Sequence, residues 1–204
     1  MKVHPVYSSE DVLMFSYKTA IDIIDKNIEG DFVECGVAAG SQIGAMQQAL
    51  LDKKTKRKIW AFDSFEGIPY ASKEDTEQPG IGKIDMSKIG LLETTGISSN
   101  SIDDVIDNFR KWDLPIDNIN FVKGWFQDTI EPTSKNIDKI SILRLDGDLY
   151  ESTLIPLKFL YDKVVDGGII IIDDWNLDGC KKAVKKFIHH KKIKMFNEIA
   201  YVIK

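Results

Sequence analysis

Two short apolar runs, each ending in carboxylates, constrain this chain more than any other feature. They lie in Ser141-Ile-Leu-Arg-Leu-Asp-Gly-Asp-Leu-Tyr-Glu-Ser-Thr153 and Gly167-Gly-Ile-Ile-Ile-Ile-Asp-Asp-Trp175. The runs themselves, Ile140–Leu145 and Ile169–Ile172, are short, rich in β-branched residues and flanked by turn or polar residues, as buried strands are. Ligands of open α/β sheets bind beyond the carboxyl ends of the strands. Asp146, Asp148, Asp173 and Asp174 are therefore expected at one rim. Carboxylates crowded there repel one another unless some are protonated or a cation sits among them. A hard, oxygen-liganded metal answers that need, with Mg²⁺ the first choice. Asp173 and Asp174 are adjacent and would face opposite ways on a regular strand, so both can be ligands only if the strand ends before them. Asp148 is read instead as a helix cap or a tie for its loop.

The rest of the chain alternates between the two periodicities. A helix is expected over Asp11–Ile28, a strand over Phe32–Cys35, a helix over Ile43–Leu51 and a strand over Ile59–Phe62 that ends at Asp63. Periodicity fails from Glu66 to Asn100, where Gly, Ser, Thr, Lys and Glu dominate. A loop of that length in a small domain reads as a lid-like insertion. Ser101-Ile-Asp-Asp104 forms a capping box, with Asp in place of Glu, for a helix through Trp112. Ile119–Val122 is the next strand. After Leu145, Ser152 or Thr153 is expected to cap a helix through Tyr161, with Pro156 in its first turn. Gly168–Ile172 is a strand, and Ile193–Phe196 with Ile199–Ile203 form an antiparallel pair around Asn197-Glu198. This pattern gives one domain over residues 1–204, a mainly parallel α/β sheet with a reversed last strand.

Composition narrows the partners. The 204 residues are 43% hydrophobic and 29% charged, with a formal charge of −5, which argues against nucleic acid. Lys181–Lys192 is locally basic, but Cys180, Ala183, Val184, Phe187 and Ile188 recur at helical spacing, so the lysines are the wet face of an amphipathic helix. Cys35 and Cys180 do not make a disulfide framework or a metal-ligand spacing. No run approaches membrane-spanning length, and a cytoplasmic protein is expected. His4, His189 and His190 have no constellation around them, and the last two are placed on a solvated helix end.

Glu34-Cys-Gly-Val-Ala-Ala-Gly-Ser41 occupies the first strand-to-helix turn. Gly36 and Gly40 let the backbone approach a ligand, and the helix from Ser41 onward opens with free N–H groups. The spacing is neither a dinucleotide fingerprint nor a P-loop. Glu34 would repel a pyrophosphate and suit a cation, while Asp63 at the end of the second strand suits a ribose diol. A ribose-bearing, cationic ligand without phosphate describes S-adenosylmethionine.

With these stretches in view, the chain resembles the macrocin O-methyltransferase family, metal-dependent enzymes that methylate sugar hydroxyls of macrolide and aminocoumarin antibiotics. The matching segments are Gly30–Val37, Trp60–Pro69, Gly124–Thr129, Leu143–Thr153 and Gly167–Asp174. The resemblance implies a class I methyltransferase fold, Rossmann-like, with seven strands, the last antiparallel, and helices on both faces. It implies that Asp146, Asp173 and Asp174 hold Mg²⁺ and that Asp146 is the general base. It puts Glu34, Gly36, Asp63 and Ser64 in the cofactor site, with Gly124 and Trp125 at the adenine end. Tyr150 is a candidate for the acceptor pocket, as is Trp175, which stands where the family usually has Tyr. A hydroxyl acceptor such as a glycosylated metabolite is expected, and a homodimer is plausible for the family.

An alcohol is too weak an acid to ionise near neutrality, so a metal that binds it and a base at Asp146 together would activate it. Two neighbouring hydroxyls could chelate, favouring a sugar or other vicinal diol. Two other readings stay open. An apolar strand ending in Asp-x-Asp is also how many glycosyltransferases hold Mn²⁺ and a sugar nucleotide, although Glu34 and the glycine turn are then unexplained. A non-catalytic nucleoside-binding domain would keep the cofactor turn without the metal.

Overall fold

Each strand of the first five leads into a helix that carries the chain back to the same end of the sheet, which forces these strands to run parallel. In the computed structural model, which describes residues 1–76, 84–188 and 193–204, they are β1 (Asp31–Cys35), β2 (Ile59–Asp63), β3 (Ile119–Lys123), β4 (Ile140–Leu145) and β5 (Val164–Ile172). The chain steps outward from β1 to β2 and β3, then crosses back to β4 beside β1. That crossing leaves a cleft at the carboxyl ends of β1 and β4, where open α/β sheets bind ligands. β6 (Lys194–Phe196) and β7 (Ile199–Ile203) form the expected hairpin, and β7 lies antiparallel against β5. The sheet order is β3-β2-β1-β4-β5-β7-β6.

Alternation along the strands divides the core in two. Phe32, Ile142 and Ile171 face α1 (Glu10–Asp25), α2 (Ser41–Asp52) and α3 (Ile102–Lys111), packing on Ile23, Met46 and Phe109. Val33, Leu143 and Ile170 face α4 (Phe126–Ser134), α5 (Tyr150–Leu160) and α6 (Asp178–Phe187), packing on Ile130, Leu157 and Val184. The capping box of α3 forms in both directions despite its shorter acid, with the Ser101 and Asp104 side chains each accepting from the other's amide.

Three local expectations need correction. Helix α4 was not anticipated, because Pro132 lies inside it and only Phe126, Ile130 and Ser134 mark its buried face. Helix α5 starts at Tyr150 rather than after Ser152 or Thr153. Its N-cap is Leu149, which has no capping side chain, and Pro156 falls beyond the first turn. Thr153 sits inside the helix and donates its hydroxyl to the Leu149 carbonyl. Helix α6 runs over Asp178–Phe187, three residues earlier in its start than the lysine run. His189, His190 and the end of that run lie outside the described residues.

The described parts of the 66–100 insertion contain no helix or extended strand. They fold back through a bridge between Pro69 and Thr94 and through backbone bonds from Ile68 to Ile97, Thr95 to Ile68 and Gly90 to Ala71. No helix among the described residues is long and apolar enough to cross a membrane.

Candidate active site

The carboxyl ends of β1, β2, β4 and β5 surround a cavity of ≈ 190 Å³. Its two ends are joined by backbone. Gly36 donates to the Phe62 carbonyl and the Asp146 amide donates to the Cys35 carbonyl. Gly36 has φ +97°, and a Cβ there would overlap the Asp146 carbonyl oxygen. Only glycine lets the first turn press against the segment that carries Asp146.

At the cofactor end, Gly36, Ser41, Asp63, Ser64 and Trp125 all line the cavity. Asp63 is held by backbone donors. Its Oδ2 accepts from the Val37 and Ala38 amides at 2.7 and 3.0 Å, and its Oδ1 accepts from Phe65 at 2.7 Å. The carboxylate thus fixes the glycine turn while facing the cavity. Ser64 fastens the next turn, accepting from Glu66 and Gly67 and donating to the Gly67 carbonyl. The Ser41 hydroxyl is engaged by the N-terminal segment, donating to the His4 carbonyl and accepting from the Val6 amide. Gly40 is the left-handed N-cap of α2 and Gly124 lies behind Trp125; neither lines the cavity.

Glu34 is not in the cavity either. It is 1% exposed and points with Phe32 toward the α1–α3 face, where Arg144 of β4 is its in-register neighbour. Arg144 is fully buried, a cation inside an otherwise apolar strand, and such a group must find anions. Its Nη1 donates to Asp146 Oδ2 at 2.7 Å and its Nη2 to Asp173 Oδ1 at 2.5 Å, while Nε lies 3.6 Å from Glu34 Oε1. Burial works against the Arg144 charge, but Asp173, Asp146 and Glu34 around it raise its pKa further. Burial pushes the Glu34 carboxyl up to about 8, with Arg144 opposing.

At the carboxylate end, β5 stops at Ile172, so Asp173 and Asp174 are both released from strand alternation. Asp146, Asp173 and Asp174 each offer a carboxylate oxygen, and the three oxygens lie within 4.8 Å of one another. Burial, then Asp173, raises Asp146 well above the usual carboxylate range; burial, then Asp148, does the same to Asp174. Asp148 also lines the cavity, pushed up to about 8 by burial and by Asp146, but its oxygens are not part of that trio. Its tie to the loop runs through the backbone, its amide donating to Asp174 Oδ2 at 2.8 Å. Three carboxylates face one guanidinium, so a divalent cation fits the remaining charge and the all-oxygen donor set. The two aromatic acceptor candidates are elsewhere. Tyr150 is buried with its hydroxyl accepting from Lys186, and Trp175 packs on the α4–α6 core; neither lines the cavity.

Sequence reasoning passed over two residues that bear on the site. Arg144 was visible as the one charge within Ile140–Leu145. Asp75 accepts from the Tyr150 amide at the head of α5, and its local signal was the Ser72-x-x-Asp75 spacing.

A parallel sheet in this order, with a reversed β7 and its cleft between β1 and β4, has the fold of class I methyltransferases. The solved structure of the O-methyltransferase NovP matches with a TM-score of 0.79 at 33% identity, covering 95% of this chain and 79% of that one. The calicheamicin methyltransferase CalS11 matches in fold, with a TM-score of 0.70 at 18% identity over 94% of this chain and 77% of that one. The family model for macrocin-O-methyltransferase (TylF) matches residues 14–201, and the chain belongs to that family. It is 38% identical over 168 residues to demethyldecarbamoylnovobiocin O-methyltransferase of Streptomyces niveus, covering 81% of this chain and 61% of that protein. It is 30% identical to mycinamicin III 3''-O-methyltransferase of Micromonospora griseorubida over 78% of this chain and 61% of that protein. The chain thus spans about three fifths of the length of these relatives.

Proposed function

We propose that this chain transfers the methyl group of S-adenosylmethionine to a hydroxyl of a sugar or another vicinal diol, in natural-product biosynthesis and with Mg²⁺. The observation that carries the reading is the Gly36–Asp146 contact, which makes the glycine turn and the carboxylate trio walls of one cavity. The names of the relatives, a demethyldecarbamoylnovobiocin O-methyltransferase and a mycinamicin III 3''-O-methyltransferase, support a small-molecule hydroxyl acceptor.

In this reading Asp63 receives the ribose diol and Trp125 borders the adenine. Asp146, Asp173 and Asp174 would hold Mg²⁺, which when bound supplies the Lewis acidity that lowers the pKa of a hydroxyl and favours a chelating diol. Asp146 accepts the proton as transfer proceeds. Arg144 holds Asp146 and Asp173 in place from behind. Gly67, Ile68, Pro69 and Ser98 of the insertion line the cavity, so the lid reading gives them the exclusion of water. Fixing sulfur, methyl and oxygen in line supplies much of the remaining acceleration. The glycosyltransferase reading needs Asp146 and Asp148 as its metal pair, and Asp148 stands outside the trio among the described residues. A cytoplasmic setting agrees with two free, buried cysteines.

The test is methyl transfer from radiolabelled S-adenosylmethionine to a panel of glycosylated acceptors, with Mg²⁺ and with EDTA. Label should pass to a vicinal-diol sugar only with the metal. The Asp146→Asn variant should lose turnover while keeping S-adenosylmethionine binding. Turnover that survives Asp146→Asn would remove the base assignment.

A further inference from the structure

We infer that Asp75, in the 66–100 insertion, is a positioning residue for the metal-binding carboxylates, acting through the Asp146–Tyr150 turn. The inference rests on the reading of Asp146, Asp173 and Asp174 as metal ligands.

Helix α5 opens without a capping side chain of its own, since its N-cap is Leu149. The missing acceptor comes from 75 residues earlier in the chain, where Asp75 Oδ1 accepts from the Tyr150 amide at 2.8 Å. Asp75 is only 8% exposed, and its other oxygen accepts from the Ser72 amide and hydroxyl, both at 2.8 Å. A carboxylate is a favourable partner for the free amides at a helix N-terminus. Helix α6 is shaped around it. A Cβ on Gly179 would overlap Asp75 Oδ1, so glycine there leaves room for the carboxylate, not for a turn. Lys182 of α6 also donates to the Glu74 carbonyl at 2.6 Å.

The turn that Asp75 holds carries Asp148 at φ +60°, a left-handed conformation open to Asp that its surroundings hold in place. Three bonds do so. The Asp146 amide is taken by Cys35, the Asp148 amide by the Asp174 carboxylate, and the Tyr150 amide by Asp75. Two of these anchors belong to the site itself. The third, Asp75, comes from the insertion. Released from Asp75, the turn relaxes toward negative φ, the Asp148 amide leaves Asp174, and the trio loses its spacing. The insertion is thereby coupled to the metal site through one carboxylate.

The test is Mn²⁺ titration of the full chain followed by electron paramagnetic resonance, beside calorimetry of S-adenosylmethionine. Asp75→Ala should weaken Mn²⁺ at least tenfold and leave S-adenosylmethionine affinity within twofold. Gly179→Ala should weaken Mn²⁺ likewise by pushing the carboxylate aside. The double variant should lose less than the two single losses combined, because the added methyl no longer meets the carboxylate. Asp75→Asn, which keeps an oxygen for Tyr150, should hold Mn²⁺ within threefold of wild type. Lower melting temperature with unchanged Mn²⁺ affinity in both single variants would overturn the inference, as would additive losses in the double variant. A wild type that binds no Mn²⁺ would instead overturn the metal reading, and this inference with it.

Discussion

Glu34 Oε1 and Arg144 Nε lie 3.6 Å apart, fully buried on neighbouring strands, and neither atom meets hydrogen-bond geometry with a partner among the described residues. The guanidinium spends its two terminal nitrogens on Asp146 and Asp173, so Glu34 faces a cation whose bonds go elsewhere. Its place in the fold is thus behind the carboxylates, on the far side of Arg144 and outside the lining of the cavity.

That position makes Glu34 a pH-dependent cost. Its pKa is raised from 4.5 to about 8, chiefly by burial, so the folded chain holds a proton there that the unfolded chain has released. Between these values the folded state binds more protons, and stability falls as pH rises, by up to about 1.4 kcal/mol per pH unit for a single group. Glu34→Gln cannot ionise and escapes the loss. We expect its melting temperature to gain on wild type steadily from pH 5 to pH 8 in metal-free buffer. A constant difference across that range would show that Glu34 is charged throughout.

Arg144 stands in for missing positive charge among Asp146, Asp173 and Asp174. Arg144→Met leaves the partly buried Asp146 and Asp173 unpaired, which costs at most about 3–5 kcal/mol, the figure for a fully buried pair. Added Mg²⁺ should therefore raise the melting temperature of Arg144→Met more than that of wild type, read by scanning calorimetry. Arg144→Lys should fall between them, since one ammonium does not bridge two carboxylates as a planar fork does. Equal metal effects in all three would mean that the guanidinium does not balance the site.

Asp63 has two tasks at once. Asp63→Ala strips the acceptor from the Val37, Ala38 and Phe65 amides, and each partly buried donor left unpaired costs about 1–3 kcal/mol. S-adenosylmethionine affinity should fall by more than tenfold, while Mn²⁺ binding at the opposite end of the cavity stays near wild type. Loss of both would show that the glycine turn collapses as a unit.

A control lies outside the cavity. Ser101→Ala removes one leg of the α3 capping box and should lower stability by about 1 kcal/mol, measured by urea unfolding, with methyl transfer unchanged.

Much of this was legible because the strands are short apolar runs whose ends are marked by acids. Asp146 and the Asp173–Asp174 pair reached one rim because β4 and β5 are adjacent and parallel, and β5 ends at Ile172. The pairing of Glu34 with Arg144 was hidden for a reason of register. A period of two puts Glu34 and Arg144 on one face of their strands, but their pairing depends on how β1 and β4 align, which local sequence does not carry. The start of α5 was hidden for a similar reason, since its capping acceptor, Asp75, is remote in the chain. Helix α4 was masked by Pro132, which argues against a helix locally while Phe126 and Ile130 hold it to the sheet.

The most direct measurement is calorimetric titration of S-adenosylmethionine and of a UDP-sugar, each with and without Mg²⁺. We expect micromolar binding of S-adenosylmethionine whether or not Mg²⁺ is present, and no binding of the sugar nucleotide. Metal-dependent binding of the UDP-sugar, with none of S-adenosylmethionine, would contradict the methyl-transfer reading and return the Asp146-Gly-Asp148 segment to a glycosyl-transfer site.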